Sequence, residues 1–452
     1  MLLPIGPYGK SAIMAAAMER TKELAGDRPT SDRRSARGDG TPAAAVSSDG
    51  NSGTPVEAFD YDLPEAAIAQ EPVEPRSAAR LLVARPAGAE RGASPAHRHI
   101  TDLPDLLRPG DLLVVNDTRV LAARLQLAKS TGGRAEVLLL EPEDGGGRGG
   151  GPDEHASRPD EHDSGPDRWV ALVRPGRRLP PGTALFEAGG SAGAAPVVVE
   201  GWPEGTVPGG GDPDGRRIVR LADPSIIERA GTVPLPPYIH AQLDRPERYQ
   251  TVFAAARPPG ERSAAAPTAG LHLTPEVLGA CRAAGATVAT VDLVIGLDTF
   301  RPLSAPTVEG HVMHSERYRV PAATWQACRE ATRVVAVGTT VVRALESAAA
   351  TGELEGRTDL FIRPGFRFQV VDALLTNFHL PRSSLLVLVE AFYGPAWRDR
   401  YAEALAEGYR FLSFGDAMFL ERGAGHREQG GARPSGMGDD PPGRPEDPGP
   451  DR

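Results

Sequence analysis

The sequence is poor in cysteine and has no long apolar run. Its two cysteines among 452 residues, Cys281 and Cys328, are too few for a disulfide framework, a zinc knuckle or an iron–sulfur cluster, so we expect both to be buried as small apolar side chains. No apolar run approaches the roughly 20 residues that span a membrane, and no signal peptide with a continuous apolar region is evident. We therefore expect a cytoplasmic protein without membrane contact.

Common nucleotide and metal motifs are also missing. The GxxxxGK[ST] spacing of a P-loop is absent, and no GxGxxG follows the first predicted strand, so neither a P-loop nor a dinucleotide-binding fold is indicated. The stretch "EGHVMHSERY" offers His311, His314 and Glu316, but it lacks the helical i, i+4 spacing of HExxH. We expect no metal here and favour general acid–base catalysis or substrate binding.

The net charge of −10 argues at first against a nucleic-acid partner. Half of this excess acidity lies in one segment, residues 143–168, so an acidic protein can still carry a basic face elsewhere. Arg119 and Arg124 lie in such a basic stretch. An ordinary solvated surface is the alternative for these arginines.

The chain is long enough for two domains, because 40% of its 452 residues are hydrophobic. Short β-rich runs separated by Gly and Pro predict a small β-barrel, while alternating strands and helices on both sides of it predict an α/β layer fold. Segments rich in Gly, Pro, Asp and Arg cannot bury enough apolar surface to fold. The predicted divisions are a disordered extension (1–57), a main α/β domain (58–118 and 235–421), an inserted β-barrel domain (119–234) with flexible insertions at 143–168 and 203–216, and a disordered tail (422–452).

The stretch "APTAGLHLT", residues 266–274, places one histidine after a run of very small residues. Thr274 and Pro275 make a good helix start, with threonine as the N-cap and proline in the first position. His272 therefore lies in a loop that enters a helix, where Gly270 lets the backbone approach a ligand closely. A tight packing turn with a hydrogen-bonded structural histidine is the alternative.

A second strand-to-helix junction lies in "RVVAVGTTVVRALES". The pattern predicts a strand that ends at Gly338 and a helix capped by Thr339 or Thr340, an arrangement that can bind an anion. Arg343 and Glu346 lie on one face of this helix. An ordinary surface ion pair is the alternative for these two residues.

A third polar stretch, "TNFHLPRSSLLVLVEAF", places Asn377 and His379 in a loop before a long apolar segment. Polar residues in such loops often carry function, because rigid strands and helices hold them in place. We therefore take both residues as candidates for the site.

These stretches belong to a longer series of blocks that runs over residues 59–419. The series includes "LRPGDLLVVNDTRVLAARL", "GGRAEVLLLE", "PLPPYI", "RYQTVFA", "AAPTAGLHLT", "HVMHSERY", "AVGTTVVRALES" and "YRFLSFGDAM". Together they resemble the S-adenosylmethionine:tRNA ribosyltransferase-isomerases of queuosine synthesis. The resemblance implies a three-layer α/β domain with an inserted β-barrel, in agreement with the two patterns above.

The resemblance also implies a reaction. S-adenosylmethionine would donate a ribosyl group to the aminomethyl nitrogen of 7-aminomethyl-7-deazaguanine at the wobble position of a tRNA, giving epoxyqueuosine and releasing adenine and methionine. The implied co-substrate is S-adenosylmethionine and the implied partner is the tRNA, with no metal and no obligate protein partner. Such chemistry needs a base, a group that assists the departure of adenine, and a charged pocket.

Candidate residues follow from the blocks, with roles left open among them. His272 or His314 would move protons, Arg343 or Arg301 would hold the methionine carboxylate, and Glu316 or Glu346 would face its ammonium or the sulfonium. The catalytic candidates are His272, His314, Glu316 and His311. The candidates for binding S-adenosylmethionine are Thr268, Gly270, Thr299, Arg301, Thr339, Thr340, Arg343, Glu346, Asn377 and His379. The candidates for binding the tRNA or an unstacked base are Asn116, Arg119, Arg124, Tyr238, Arg248, Tyr249 and Phe378.

One signature block departs from the pattern of the family. Where the family has L-H-V-G-x-G-T-F, this chain has "LVIGLDTF", so Val294 replaces a histidine and Asp298 replaces a glycine. Two alternatives to the family's reaction therefore stay open. One is a related transferase that uses S-adenosylmethionine with another amine acceptor, and the other is a non-catalytic protein that binds RNA or a nucleoside.

Overall fold

The computed structural model describes residues 53–85, 96–143, 167–187, 196–203, 215–296 and 302–422. Within these ranges, sixteen strands and seven α-helices form two sheets with their packed helices. The strands are β1 (Arg80–Ala84), β2 (Ala96–His99), β3 (Asp111–Asn116), β4 (Arg124–Lys129), β5 (Arg134–Pro142), β6 (Arg168–Arg174), β7 (Ala184–Glu187), β8 (Val197–Gly201), β9 (Arg216–Leu221), β10 (Gly231–Thr232), β11 (Thr287–Leu293), β12 (Glu316–Arg319), β13 (Arg333–Val337), β14 (Glu355–Thr358), β15 (Ala373–Asn377) and β16 (Ala417–Glu421).

Most of the α-helices connect strands of the main sheet or pack on its faces, while the short helix Ile226–Ala230 packs against the barrel. The α-helices are α1 (Leu103–Leu106), α2 (Ile226–Ala230), α3 (Pro275–Ala283), α4 (Ala322–Glu330), α5 (Thr339–Thr351), α6 (Ser384–Tyr393) and α7 (Trp397–Ala406). Short 3₁₀ turns lie at Val56–Phe59, Glu65–Ala67, Arg76–Ala78, Ile100–Asp102, Gly176–Arg178, Pro246–Tyr249, Pro259–Glu261 and Thr268–His272.

The main sheet is the middle layer of three. Its order is β14-β12-β11-β3-β13-β15-β16-β1-β2, in which β11, β3, β13 and β15 run parallel. Side chains of a strand alternate between the two faces, so Leu112 and Val114 of β3 join a core that includes α5, α6 and α7. Leu113 and Val115 join the opposite core, with α1 and α3. Helices on both faces account for the continuous apolar run of β3.

The second sheet closes into a barrel, and its strands lie between β3 and β11 in the sequence. Six strands follow the order β4-β5-β6-β9-β8-β7, and β7 pairs again with β4 through Leu127 and Glu187. Inward-facing apolar side chains, among them the fully buried Trp169, fill its interior. The predicted fold class, an α/β main unit with an inserted small β-barrel, is confirmed.

Details at the ends of the chain differ from the sequence prediction. The disordered extension was predicted to reach residue 57, but Val56 is buried, its N–H donates to the carbonyl of Pro306 (3.2 Å), and Pro55 pairs with Thr307. Apolar contact with the main unit therefore begins earlier than composition indicated. The rest of the predicted extension, most of both insertions and the tail from residue 423 lie outside the described residues. The other domain boundaries stay predictions.

Two smaller predictions also have outcomes. Cys281 and Cys328 are buried and carry free thiols, as expected of small apolar side chains. Helix α3 begins at Pro275, and the hydroxyl of Thr274 accepts from the N–H of Val277 (3.3 Å), which confirms the predicted N-cap. Among the described helices, none is long and apolar enough to cross a membrane.

Candidate active site

The carboxyl ends of the four parallel strands meet at one edge of the main sheet, where open α/β sheets place their ligands. Residues 263–272, here called the crossing loop, run over this edge. The loop starts at Ser263, whose hydroxyl accepts from the N–H of Ile295 (2.8 Å) just beyond β11, and whose N–H donates to the carbonyl of Arg119 (2.7 Å). Near its other end, Thr268 of the loop binds Asn377, the last residue of β15.

Small residues let the crossing loop lie flat against the sheet edge. Ala264, Ala265 and Ala266 are all buried. A β-carbon on Gly338, which has φ 97°, would lie 3.6 Å from the β-carbon of Ala269, so the loop packs directly over the β13–α5 turn. Close packing of backbone on backbone thus explains the run of small residues that precedes Leu271 and His272.

Three polar side chains meet where the crossing loop ends, and we call them the Asn377 cluster: Thr268, His272 and Asn377. The hydroxyl of Thr268 donates to Oδ1 of Asn377 (3.0 Å), and Nδ2 of Asn377 donates to Nε2 of His272 (3.1 Å). Because Nε2 accepts this hydrogen bond, the ring proton lies on Nδ1. No described residue accepts a hydrogen bond from Nδ1.

The environment keeps His272 neutral. Burial, followed by the positive charges of Arg410 and Arg76, lowers the pKa of His272 from 6.5 to about 4. Both guanidiniums donate to backbone carbonyls, Arg76 to Gln250 (2.6 Å) and Arg410 to Phe414 (3.0 Å). At neutral pH the cluster therefore offers an uncharged imidazole beside two cations.

Sequence reasoning missed Arg76 and Arg410 as residues of this site. Arg410 stands in the block "YRFLSFGDAM" that carried part of the resemblance, and this was the signal that could have found it. Arg76 lies in a 3₁₀ turn close to the crossing loop, and such a contact between distant segments has no local pattern. Neither residue was therefore a candidate.

A buried ion pair lies further along the same edge. Arg343 of α5 pairs with Glu316, the first residue of β12, and both are buried. The other carboxylate oxygen of Glu316 accepts from the N–H of Gly296 (3.0 Å), and Arg343 also donates to the carbonyls of Leu360 and Thr358. The pair therefore ties the end of β11 to β12 and α5, and its two charges offset each other.

The first turn of α5 lies beneath the crossing loop and has no side-chain cap. Gly338 is the N-cap, and no side chain caps the helix. The prediction that Thr339 or Thr340 is the cap is therefore wrong, because these are the first two residues of the helix. The hydroxyl of Thr340 accepts from Nδ2 of Asn116 (3.3 Å). Free backbone N–H groups at such a helix start favour an anion.

Comparison with known proteins identifies the chain. Residues 56–420 match the family described as queuosine biosynthesis protein. The chain belongs to this family. A relative from Moorella thermoacetica, named S-adenosylmethionine:tRNA ribosyltransferase-isomerase, is 46% identical over 380 residues, which are 81% of this chain and 99% of the relative. A relative of the same name from Rubrobacter xylanophilus is 48% identical over 364 residues, or 80% of this chain and 96% of that protein.

A solved structure extends the comparison. S-adenosylmethionine tRNA ribosyltransferase from Thermotoga maritima is 35% identical, and the match covers 80% of this chain and 99% of that one with a TM-score of 0.42. The predicted enzyme class, a transferase and isomerase, is confirmed by the family and the names of its members. The family gives the chain a role in queuosine biosynthesis.

Several residues that the family resemblance suggested are used inside the protein instead. The carboxylate of Glu346 is fully buried and accepts from the N–H groups of Gln369 (2.8 Å), Val370 and Val371 (both 3.0 Å), so it holds a loop and does not face a ligand. Burial raises its pKa. Glu346 also makes no surface pair with Arg343, because both are buried and Arg343 pairs elsewhere.

His379 points into the core on the α7 side. Its Nε2 bonds the hydroxyl of Thr376 (3.0 Å), its N–H donates to the hydroxyl of Tyr401 (3.0 Å), and burial lowers its pKa to about 3. Both of these contacts are internal, and a role for His379 in binding S-adenosylmethionine stays a prediction. Its neighbour Phe378 is fully buried and stacks on Phe411 with ring centroids 4.5 Å apart, so it cannot stack on an RNA base.

Other tRNA candidates are internal as well. Asn116 is buried and its amide bonds the backbone of Leu293 and Thr118, so it fixes the edge of the sheet. Tyr249 is fully buried in a small core with Phe414. Arg248 pairs with Glu74 (2.7 Å), and its side chain is only 12% exposed. Asn116 and Tyr249 are thus buried and Arg248 is mostly covered, and the prediction that they bind RNA gains no support from these positions.

The remaining candidates lie in several places. Tyr238 is half-buried and its hydroxyl bonds that of Ser413 (2.7 Å). Arg124 lies 4.0 Å from Glu136 on the barrel. His311 packs edge-on against Phe361, with ring centroids 5.3 Å apart. His314 is half-buried two residues before Glu316, and Thr299 and Arg301 lie outside the described residues.

No group of three His, Cys, Asp or Glu side chains in the described part of the chain could hold a metal ion. Glu316 of the H-x-x-H-x-E stretch is engaged with Arg343. The candidate site consists of the Asn377 cluster, its two neighbouring arginines, the uncapped start of α5 and the Glu316–Arg343 pair.

Proposed function

We propose that this enzyme transfers and isomerises the ribosyl moiety of S-adenosylmethionine onto the aminomethyl nitrogen of 7-aminomethyl-7-deazaguanine at the wobble position of a tRNA. The product is epoxyqueuosine-tRNA, and adenine and methionine leave. The sulfonium acidifies the neighbouring 5′ carbon and makes methionine a leaving group, so the proposed chemistry needs no metal. A tRNA acceptor also leads us to propose the cytoplasm as the place of action.

The Asn377 cluster is the observation that carries this proposal. It lies at the carboxyl edge of parallel strands, which is the usual ligand position of such sheets, in a chain of the queuosine biosynthesis family. Neutral His272, with its proton on Nδ1, suits a hydrogen-bond donor that assists the departure of adenine. Its Nε2 is less suited to act as a base, because protonation there would break the bond from Asn377.

The charges beside the cluster suggest how the donor lies. Arg76 and Arg410 place positive charge near His272, which suits the methionine carboxylate. We assign this carboxylate to these two residues and not to Arg343, because Glu316 already neutralises Arg343. The proton acceptor in the proposal is His314, which is half-buried and two residues from Glu316, whereas Glu316 itself is occupied by an ion pair.

The test is a direct assay of the reaction. The purified protein is incubated with S-adenosylmethionine and a tRNA bearing 7-aminomethyl-7-deazaguanine, the nucleosides are analysed by mass spectrometry, and released adenine is measured. We expect epoxyqueuosine and adenine in equal amounts. His272→Gln should lower the rate at least tenfold, while His240→Gln, a matched change of an exposed histidine, should not.

Val294 favours a second candidate, a transferase that uses S-adenosylmethionine with a different amine acceptor. This residue replaces a histidine of the family pattern, is half-buried just beyond β11, and its N–H donates to the carbonyl of Arg317 (2.9 Å). Binding of S-adenosylmethionine without any product on the tRNA would favour this candidate, and Val294→His would then be expected to restore reaction on the tRNA. Epoxyqueuosine from the unaltered protein would rule it out.

A further inference from the structure

Two arginines stand side by side where the barrel joins the main sheet. Val120 and Ser263 pair as a parallel bridge, so the residues before them, Arg119 and Arg262, are neighbours with side chains on one face. The backbone bond from Ser263 to the carbonyl of Arg119 (2.7 Å) fixes this arrangement. Burial lowers the pKa of Arg262, the charge of Glu228 opposes this effect, and the charge of Arg119 adds to the lowering.

Carboxylates neutralise the charges of Arg119 and Arg262 much less than they neutralise that of the neighbouring Arg257. Nearby Arg257 lies between Asp117 (2.6 Å) and Asp292 (3.4 Å). In the described part of the chain, no carboxylate lies within ion-pair distance of Arg119. Arg262 has one carboxylate at 3.9 Å, on a glutamate whose side chain is 70% exposed. Two half-buried guanidiniums with so little compensation form a site for an anion.

The position of the pair relates it to the candidate active site. Arg119 is three residues beyond Asn116, the end of β3, whose amide reaches the start of α5. Three residues span at most about 10 Å. Arg262 directly precedes Ser263, where the crossing loop begins. The pair therefore lies at the rim of the candidate site, on the side of the barrel.

We propose that Arg119 and Arg262 together bind one backbone phosphate of the tRNA close to the nucleotide that reacts. The inference rests on the proposed function, and it adds the contact that would set the register of the RNA. A guanidinium fork matches phosphate oxygens in geometry and charge, and phosphate contacts position a nucleic acid without reading its sequence. S-adenosylmethionine carries no phosphate. A phosphate contact at this pair would therefore belong to the tRNA acceptor and not to the ribosyl donor.

The test measures binding of the modified tRNA, without S-adenosylmethionine, at several salt concentrations. Arg119→Ala should weaken binding about tenfold near 100 mM salt, as for one lost charge-assisted contact, and lower the slope of log affinity against log salt by about 0.7–0.9. The KM for S-adenosylmethionine and the unfolding temperature should not change, because the side chain of Arg119 has no hydrogen bond or ion pair among the described residues.

Two further variants complete the design. Arg262→Gln should reproduce the loss of affinity, and Arg119→Lys should retain the salt slope while losing part of the affinity. The control is Arg229→Ala on the barrel, because Arg229 is 48% exposed and pairs with Glu187 (2.6 Å) and Asp223 (3.1 Å). This variant should bind the tRNA as the unaltered protein does.

Two results would overturn the inference while leaving the proposed function intact. One is unchanged tRNA affinity and salt slope in Arg119→Ala and Arg262→Gln, with normal epoxyqueuosine formation by the unaltered protein. The other is a raised KM for S-adenosylmethionine with normal tRNA binding, which would assign the pair to the methionine carboxylate. If the unaltered protein neither binds nor modifies the tRNA, the proposed function fails and the inference fails with it.

Discussion

Acidification should destabilise this protein through its two buried neutral histidines. Burial lowers the pKa of His272 to about 4 and that of His379 to about 3, against 6.5 for an ordinary histidine. The unfolded chain therefore binds more protons than the folded chain between the lowered values and pH 6.5. Stability contributed by these groups is fully present above pH 6.5 and is lost as pH falls toward 4 for His272 and toward 3 for His379.

The magnitude follows from these pKa values. Between pH 8 and pH 5, each histidine should reduce the free energy of unfolding by about 2 kcal/mol, since the unfolded imidazole is largely protonated at pH 5 and the folded one is not. Buried carboxyls work in the opposite sense, because burial raises the pKa of Glu346 and Asp292. The useful quantity is therefore the difference between a histidine variant and the unaltered protein.

Urea unfolding at pH 8 and pH 5 measures this difference. His379→Gln should lose stability at pH 8, because its bond to Thr376 is disturbed, but it should lose about 2 kcal/mol less than the unaltered protein on going to pH 5. His240→Gln, at an exposed position, should show the full dependence on pH. If His379→Gln shows the same dependence as the unaltered protein, His379 is not buried in its neutral form and the reasoning is wrong.

Three further predictions concern the site and its support. Asn377→Ala should lower the rate of adenine release at least tenfold, because His272 loses the bond that orients its ring. Glu346→Gln should lower the free energy of unfolding by about 1–3 kcal/mol in urea, because three charge-assisted backbone bonds are lost or weakened. Gly270→Ala should raise the KM for S-adenosylmethionine several-fold, because its β-carbon would lie 2.7 Å from Cζ of Phe253.

Each of these has an outcome that would contradict it. An unchanged rate in Asn377→Ala would show that the amide does not orient His272 for the reaction. Full stability of Glu346→Gln would mean that the backbone N–H groups find other partners. For Gly270→Ala, the second change Phe253→Leu removes the ring that the new β-carbon would crowd. A KM for S-adenosylmethionine that stays raised in this double variant would show that crowding at Phe253 is not the cause.

The sequence predicted the fold class well because the relevant signals are local. The uninterrupted apolar run of β3 predicted a strand covered on both faces, and both faces are covered. The β-rich runs with Gly and Pro between them predicted the barrel. The position of Thr274 and Pro275 predicted the start of α3, because an N-cap depends only on residues within one turn.

The site was harder to predict, because polar residues at the ends of strands can face a ligand or bind the backbone. His272 and Asn377 were candidates, and the structure brings them together. Glu346 and His379 stand in equally polar stretches, yet both are turned into the core. Their orientation depends on segments further along the chain, residues 369–371 for Glu346 and Tyr401 of α7 for His379, so the local sequence does not indicate it.

The charge that a ligand meets is likewise a property of the fold and not of the motif. Arg343 in α5 and Arg119 just beyond β3 are both arginines near the candidate site, but Glu316, 27 residues away in sequence, neutralises Arg343. The neighbour of Arg119 is instead the guanidinium of Arg262, which the bridge between Val120 and Ser263 places beside it. The net charge of −10 says nothing of this difference. A basic contact for RNA, as proposed for Arg119 and Arg262, can therefore arise in an acidic chain where the fold brings two arginines together with little carboxylate charge beside them.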